Sequence, residues 1–323
     1  FHVVLEEVDV CRNDDSNLLD PALHAKFIEK VHHEWDLSIT TPPCNTHSRL
    51  LWSNRWGPKP LRTKDWPEGF PWLKGAEAKK VSEANTLVGF NWEVCMIVAD
   101  KIDRGILSFA LCEHPEDLGV VDSGQWPAII WQSQRHLHLV NERGWSSFGL
   151  RQCDHGCDRP KPTRMVSPFD TIASGVQGWV GLPIFSAKGA YEGPIEWCDH
   201  DHSGTKIQKT NPGEAFKSGE YSAYPALLCK SLATAIVQEW ILRSNGALNT
   251  FDTPSEGRLR LVKSKIPTRT CIDEVQDLKS VVYTGRGGTN NKMGIFLPKS
   301  KWANPYKVTG KFTAEVAIRC FAP

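Results

Sequence analysis

Nowhere does the chain of 323 residues run through about eighteen consecutive apolar residues, the least a membrane-spanning helix needs. The first residues also lack the basic, apolar, small-residue succession of a secretion signal. We therefore expect a soluble, intracellular chain with no membrane partner. Internal repeats and low-complexity tracts are missing too, which excludes a solenoid or a disordered array. Net charge is nearly absent: 38 Lys and Arg face 37 Asp and Glu, a formal +1. The balance hides one local excess. Residues 257–270, GRLRLVKSKIPTRT, carry Arg258, Arg260, Lys263, Lys265 and Arg269 with no acid among them. Such a run suits phosphates, or is simply solvated surface.

What is present is an ordinary globular composition, 40% apolar, in a length that allows two domains. The start in FHVVLEEVDV and the stop in AIRCFAP lead us to expect a piece of a longer polypeptide. Ten cysteines without a secretory signal favour thiols or metal ligands in a reducing compartment over a disulfide framework. Several of the 13 tryptophans adjoin Pro or Gly, as in RWGPKP, DWPEGFPW and GQWPAIIW. We expect them to wedge loops together, with stacking on bases as the alternative.

HVVLEEVDV alternates and then turns acidic, predicting a strand that ends near Glu7 and Asp9. Asp20 at a cap position and Pro21 behind it open a helix, and DLSITTPPC follows as a short strand. Strand, helix, strand is the unit of a parallel α/β sheet. Residues 53–76 read as a long ordered loop. Ala84, Leu87, Val88, Asn91, Cys95, Val98 and Ile102 recur at helical spacing, and GILSFALCEHP predicts a buried strand. PAIIWQSQRHLHLV predicts a helix and SSFGLRQCDHG a strand entering a Cys/His-rich segment. The chain is Gly/Pro-rich and irregular over about 158–220, AYPALLCKSLATAIVQEWILRS is a strong helix, and 244–257 has linker composition.

Ligands of open α/β sheets gather at the carboxyl ends of the strands. Three such ends carry Glu7, the PPC stretch and CEHPE. A cysteine in a proline-stiffened turn beside a carboxyl group is a nucleophile with an acid, Cys44 with Glu113. The alternative is an inert buried thiol and a helix-capping glutamate.

The order of motifs resembles the DNA (cytosine-5) methyltransferases. TPPCNTHS is similar to that family's PPC nucleophile loop, LCEHPE stands where it has Glu-Asn-Val, RQCDHG lies near its Gln-x-Arg-x-Arg strand, and AYPALLCKSLATAIV resembles its closing helix. LEEVD resembles the acidic strand end that holds the cofactor ribose, and NLLDP the segment beside the adenine. LRTKDWPEGFPWL, CEHPEDLG, KPTR and YPALLC resemble methyltransferase-like modules of phages and of protist retroelement polyproteins.

The resemblance implies a Rossmann-like methyltransferase core over 1–243 with an irregular recognition insert (158–220), a linker (244–257) and part of a small second α/β domain (258–323). It implies S-adenosylmethionine as cofactor, held by Glu7, Asp9, Asp20 and Pro42, and double-stranded DNA as partner, its target base flipped out, in a cell nucleus if the host has one. Cys44 would add to C6 of cytosine while protonated Glu113 meets N3, with Arg151, Gln152 or Arg164 steadying the adduct or phosphate.

Departures accompany the matches. The family's first strand and glycine-rich cofactor turn belong before Phe1, so we expect a core truncated at its amino terminus. Glu113 is followed by His-Pro, and Asp154 and Gly156 stand where arginines belong. A permuted enzyme would place the missing turn at SVVYTGRGG, residues 280–288. That stretch with LPKSKWANPY also resembles a separate uncharacterised family, which keeps nucleotide processing around Gly285–Gly288 open, as does a catalytically silent nucleic-acid-binding module of a mobile-element polyprotein.

CDHGC (153–157) and CDHDH (198–202) form a second constellation. If each ran as a strand, Cys153, His155 and Cys157 would share one face and Cys198, His200 and His202 another. Four of these six would close a structural zinc site, although neither cluster has the usual C-x2-C spacing. Polar surface around buried thiols is the competing reading.

Overall fold

The computed structural model describes residues 2–9, 14–53, 57–200, 202, 223–251 and 313–318. Strand β1 (His2–Glu7) leads into helix α1 (Pro21–His33) and strand β2 (Leu37–Thr40). Short α2 (Leu50–Ser53) and long α3 (Gly75–Asp103) precede strand β3 (Phe109–Pro115). Helix α4 (Gln134–Asn141), strands β4 (Ser146–Arg151) and β5 (Pro162–Ser167) and helix α5 (Thr171–Gly175) follow. Strands β6 (Trp179–Val180), β7 (Ile184–Phe185) and β8 (Tyr191–Gly193), helix α6 (Ala226–Phe251) and strand β9 (Thr313–Ile318) complete the described elements.

Seven strands make one mixed sheet in the order β1-β9-β2-β3-β5-β4-β6, and β7 pairs with β8 apart from it. The β1, β9, β2 and β3 strands are parallel neighbours, whereas β5 runs antiparallel to both β3 and β4. Registers put Glu7 opposite Ile318, Ile318 opposite Ile39, and Thr40 opposite Cys112. Leu150 of β4 stands level with Pro115 of β3 through their common partner Thr163. The carboxyl ends of β1, β9, β2, β3 and β4 therefore share one edge.

Each local structure has a local cause. The Asp20 carboxylate accepts from Ala22 N (2.8 Å) and Leu23 N (3.3 Å), Pro21 fills the first turn, and Lys30, His32 and His33 stand at the negative end of α1. Lys101, buried on α3, donates to the Val31 (3.1 Å) and Trp35 (2.8 Å) carbonyls, tying α3 to the carboxyl end of α1. The expected helix over PAIIWQSQRHLHLV divides into a 3-10 turn (Ile130–Gln132) and α4, because Ser133 leaves helical geometry to cap α4 through His136 N.

Strand β3 is apolar on both faces because both are covered. Ala110 and Cys112 pack with Phe27, Val31, Phe90, Cys95 and Val98 of α1 and α3. Phe109 and Leu111 pack on the other side with Phe148, Met165, Ile172, Leu228 and Leu232. Helices α5 and α6 approach so closely that a Cβ on Gly175 would lie 2.5 Å from Ala235 Cβ.

Three expectations need correction. The irregular insert does not begin at 158, since β5 is a strand of the main sheet and hydrogen-bonding partners on both sides hold it there. Residues 244–251 continue α6 as helix despite their linker composition. Residues 313–318 do not belong to a separate domain, because β9 lies inside the main sheet between β1 and β2. The basic run 257–270 and the Gly-rich stretch 280–288 lie outside the described residues.

Two fully buried histidines are held neutral. Burial pushes His114 down to about 3 and His136 to about 4, from an ordinary 6.5. A histidine with a depressed folded pKa takes up its proton on unfolding, so its contribution is present above 6.5 and is lost as pH falls toward the folded value. Burial raises Glu113 and Glu116, which pulls the other way just above pH 4.5, so a variant isolates the histidine. Between pH 6 and 4.5, urea unfolding of His136→Asn should show a pH slope flatter than wild type by about one proton, about 1.4 kcal/mol per pH unit. Equal slopes would contradict neutral burial of His136.

Candidate active site at the carboxyl edge of the sheet

Strand β2 ends at Thr40, and Thr41, Pro42 and Pro43 carry the chain along the sheet edge to Cys44. Asn91 of α3 shares a short hydrogen bond with the Thr40 hydroxyl, which anchors the strand end. The turn behind the cysteine is closed by His47 N donating to Cys44 O at 2.9 Å. Arg62 Nη1 lies 3.0 Å from His47 Nε2 and donates to Pro67 O (2.7 Å) and Asn85 Oδ1 (2.8 Å), so the long loop 57–74 buttresses the cysteine turn. Burial, reinforced by the Arg62 charge, holds His47 well below its ordinary pKa, and the imidazole stays neutral.

Glu113, on the neighbouring strand β3, is buried and electrostatically coupled to Cys44. Burial raises the Cys44 thiol, and the Glu113 charge raises it further, while Lys161 pulls it back. Burial likewise raises Glu113, opposed by Lys161 and by a short hydrogen bond donated by the Tyr224 hydroxyl to Glu113 Oε2. An ionised Glu113 disfavours the Cys44 thiolate, and Lys161 favours both charged forms. A nucleophile with a proton donor needs the thiolate and the protonated carboxyl together, and the rise of Glu113 by burial and the pull of Lys161 on Cys44 both act in that direction.

Lys161 and Tyr224 were missed as site residues, although KPTR and YPALLC stood out in the sequence. Lys161 sits between two prolines with a left-handed φ of 37°, and its ammonium lies 5.2 Å from the Tyr224 ring centroid. A non-glycine residue in that region is held against steric cost, here by the ladder of β5 that starts next to it. Tyr224 arrives just before α6, whose first bond runs from Cys229 N to Pro225 O. Pro225 therefore lies before the first helical residue rather than within the helix.

The three candidates for steadying an adduct have other partners. Arg151 Nε donates to Asp154 (2.9 Å), its Nη1 donates to Glu196 O (2.9 Å), and the guanidinium lies 4.9 Å from the Trp179 ring. Gln152 is buried and bonds Thr163 Oγ1 (3.0 Å) inside the turn. Arg164 is fully buried against Glu116. The cation acting on Cys44 and Glu113 is Lys161.

Of the cofactor candidates, Glu7 and the buried Asp9 lie at the end of β1 beside β9, and Pro42 is buried next to the cysteine turn. Asp20 is committed to capping α1, so its acidity is accounted for without a ligand. Glu7 and Asp9 thus stand at a parallel strand end, where open α/β sheets gather their ligands.

The Cys/His constellation is rearranged from expectation. Segment 153–157 is a 3-10 turn (Gln152–His155) closed by Gly156 at φ 90°, and the described residues 198–200 and 202 are not in a strand, so alternation does not set the faces. His155 is buried, bonded to Val176 O at 3.1 Å, and Cys157 Sγ faces Asp158, so both leave the cluster. Cys153, Cys198, His200 and His202 instead bring their ligand atoms within 4.8 Å of one another. Burial and the adjoining Cys198 push the Cys153 thiol up to about 12.

Of the tryptophans in DWPEGFPW and GQWPAIIW, Trp126 and Trp131 wedge loops, whereas Trp66 and Trp72 are exposed. Trp131 Nε1 donates to Pro115 O (2.7 Å), Trp126 Nε1 to Asp117 (3.3 Å), and Lys64 lies 3.6 Å from the Trp126 ring. No helix among the described residues is long and apolar enough to cross a membrane. No protein-family model, curated protein or solved structure matches the chain.

The electrostatics predict opposite effects of two neighbours. Lys161→Met removes the charge that lowers the Cys44 pKa, so iodoacetamide should alkylate Cys44 several-fold more slowly at pH 8. Tyr224→Phe removes a bond to ionised Glu113, favours its protonation and relieves Cys44, so alkylation should be unchanged or faster. Mass spectrometry of the Cys44 peptide reads both, and a slower reaction in Tyr224→Phe would contradict the coupling.

Proposed function

We propose that this site adds a methyl group to C5 of cytosine in DNA, with Cys44 as nucleophile and Glu113 as proton donor. The observation that carries the proposal is the pair itself: a thiol and a buried carboxyl of raised pKa on adjacent strand ends, each acted on by Lys161. The parallel order β1-β9-β2-β3 followed by antiparallel β5 and then β4 supports it, because it leaves Glu7, Cys44 and Glu113 on one edge.

The ring atoms of a stacked cytosine are out of reach, so the base must leave the duplex before it can react. The Cys44 sulfur then forms a bond to C6. Glu113 gives its proton to N3 or shares it there, which takes up the electron pair displaced into the ring and makes C5 nucleophilic. Lys161 offsets the charge of the free thiolate before attack and of the Glu113 carboxylate afterwards. Tyr224 holds Glu113 Oε2, which leaves the other carboxyl oxygen to face the base. S-adenosylmethionine, when bound, supplies an electrophilic methyl group, and Glu7 and Asp9 are the residues that would hold its ribose. After methylation, loss of the C5 proton to a base and departure of the Cys44 thiolate restore the aromatic ring, and N3 returns its proton to Glu113.

Buried thiols without a carboxyl and a lysine beside them are ordinary core. Cys95 is the comparison within the same chain: burial alone lifts its thiol far above the ordinary range, and no cation opposes it. Cys44 differs by its position at the sheet edge and by Lys161.

Trapping tests the proposal. With S-adenosylmethionine and duplex DNA containing 5-fluorocytosine, the wild-type chain should form a covalent adduct that resists denaturation, because fluorine at C5 cannot leave as a proton. Cys44→Ala should form none, and Glu113→Gln should slow trapping by about 100-fold or more, the usual weight of a proton donor. DNA binding without any Cys44-dependent adduct would overturn methyl transfer and leave a nucleic-acid-binding module.

A further inference from the structure

We propose that Cys153, Cys198, His200 and His202 bind one zinc ion in a closed, structural site that fastens the segment after β8 to the carboxyl end of β4. The four side chains come from two places far apart in sequence. Cys153 lies in the 3-10 turn that directly continues β4, and the other three lie on alternate positions of one five-residue stretch. Their ligand atoms lie within 4.8 Å of one another. Tetrahedral zinc with bonds of about 2.3 Å to sulfur and about 2.0 Å to nitrogen puts its ligands roughly 3.3–3.8 Å apart. The Cys198 Sγ to His202 Nε2 distance is already 3.3 Å.

A second observation concerns the outer contacts. His202 Nδ1 lies 2.7 Å from Asp158 O, to which it donates, and this fixes the tautomer that turns the Nε2 lone pair toward Cys198. A ligating histidine is oriented in the same way by a carbonyl behind it. Arg151 binds both Asp154 of the 3-10 turn and the Glu196 carbonyl, which places the two ligand-bearing segments side by side without the metal. The His200 and His202 rings lie 4.4 Å apart between centroids, close enough for both to reach one ion.

Two thiolates and two imidazoles suit zinc over magnesium or calcium, and two thiolates neutralise its charge. With four protein ligands no position is left for water or substrate, so the ion has a structural role. What it holds is specific: β4 ends on the same sheet edge as β2 and β3, so the clamped segment stands beside the Cys44 edge.

The test is metal content of the full chain, purified with reductant and without chelator. About one zinc per chain is expected by elemental analysis. Cobalt substitution should give the strong visible bands of a tetrahedral ion and a thiolate charge-transfer band in the near ultraviolet. Cys198→Ser and His202→Ala should lose the zinc or release it at least 10-fold more readily to a chromophoric chelator. Cys157→Ser and Cys44→Ala should retain it, the latter separating this site from the proposed chemistry. Should the ligand variants not fold, alkylation mapping of the wild type decides: zinc should protect Cys153 and Cys198 but not Cys44. Absence of bound zinc, retention by Cys198→Ser, or no protection of Cys153 and Cys198 would overturn the proposal, as would a Cys153–Cys198 disulfide in the reduced preparation.

Discussion

The ion pair between Arg164 and Glu116 is the constraint on which the rest of this sheet edge depends. Both side chains have no exposure, and Arg164 Nε meets Glu116 Oε1 at 2.9 Å. Arg164 also donates to Ser147 Oγ (2.9 Å) and Gly181 O (2.6 Å), and Ser147 lies 3.2 Å from His136 Nε2. His136 in turn donates from Nδ1 to Trp131 O at 2.7 Å. One guanidinium thus joins β5, the end of β3, β4, the strap before α4 and the turn after β6. Burying such a pair gains little, but removing one partner strands a charge and costs about 3–5 kcal/mol. The close packing of Gly149 belongs to the same arrangement, since a Cβ there would lie 2.7 Å from Glu116 Oε2 and 2.5 Å from Ile195.

The chemistry of the edge follows from that lock. Glu113 sits three residues before Glu116, and Lys161 three residues before Arg164, on paired antiparallel strands. Fixing Arg164 against Glu116 holds the antiparallel register of β5 on β3, in which Glu113 faces Met165 and His114 faces Arg164. Tyr224 comes from the opposite face of the sheet, where α6 packs through Leu228 and Leu232. Burial supplies the rise in both acids, and a single lysine supplies the counter-charge. This is a site made of one sheet edge and two covering layers, with the β9 strand completing the parallel half.

Much of this was legible in the sequence, and for identifiable reasons. The cap at Asp20 with Pro21, the alternating start of β1 and the apolar run of β3 are local signals, and local physics decided them. Cys44 and Glu113 were recognisable because strand-end positions are set by the same runs. Lys161 and Tyr224 were not, since their roles depend on antiparallel pairing of β5 with β3 and on the placement of α6, neither of which has a local signature. Strand β5 was read as irregular because Pro160 precedes it and Pro162 opens it, yet its apolar residues Met165 and Val166 are fully buried. Strand β9 lay beyond sequence reasoning for a similar reason: insertion between β1 and β2 is a non-local event. The zinc candidates were gathered by assuming strand alternation in each cluster, and the 3-10 turn around Cys153 separated His155 and Cys157 from the rest.

The central claim is that Cys44 and Glu113 share one electrostatic environment, so that the carboxyl governs the thiol. The most direct measurement is the ultraviolet titration of the Cys44 thiolate in the wild type and in Glu113→Gln, with Cys44→Ala as the blank. Removing the carboxylate charge should lower the Cys44 pKa, shifting the thiolate signal to lower pH. An unshifted curve would mean that the two side chains do not interact, and the account of the site would fail with it.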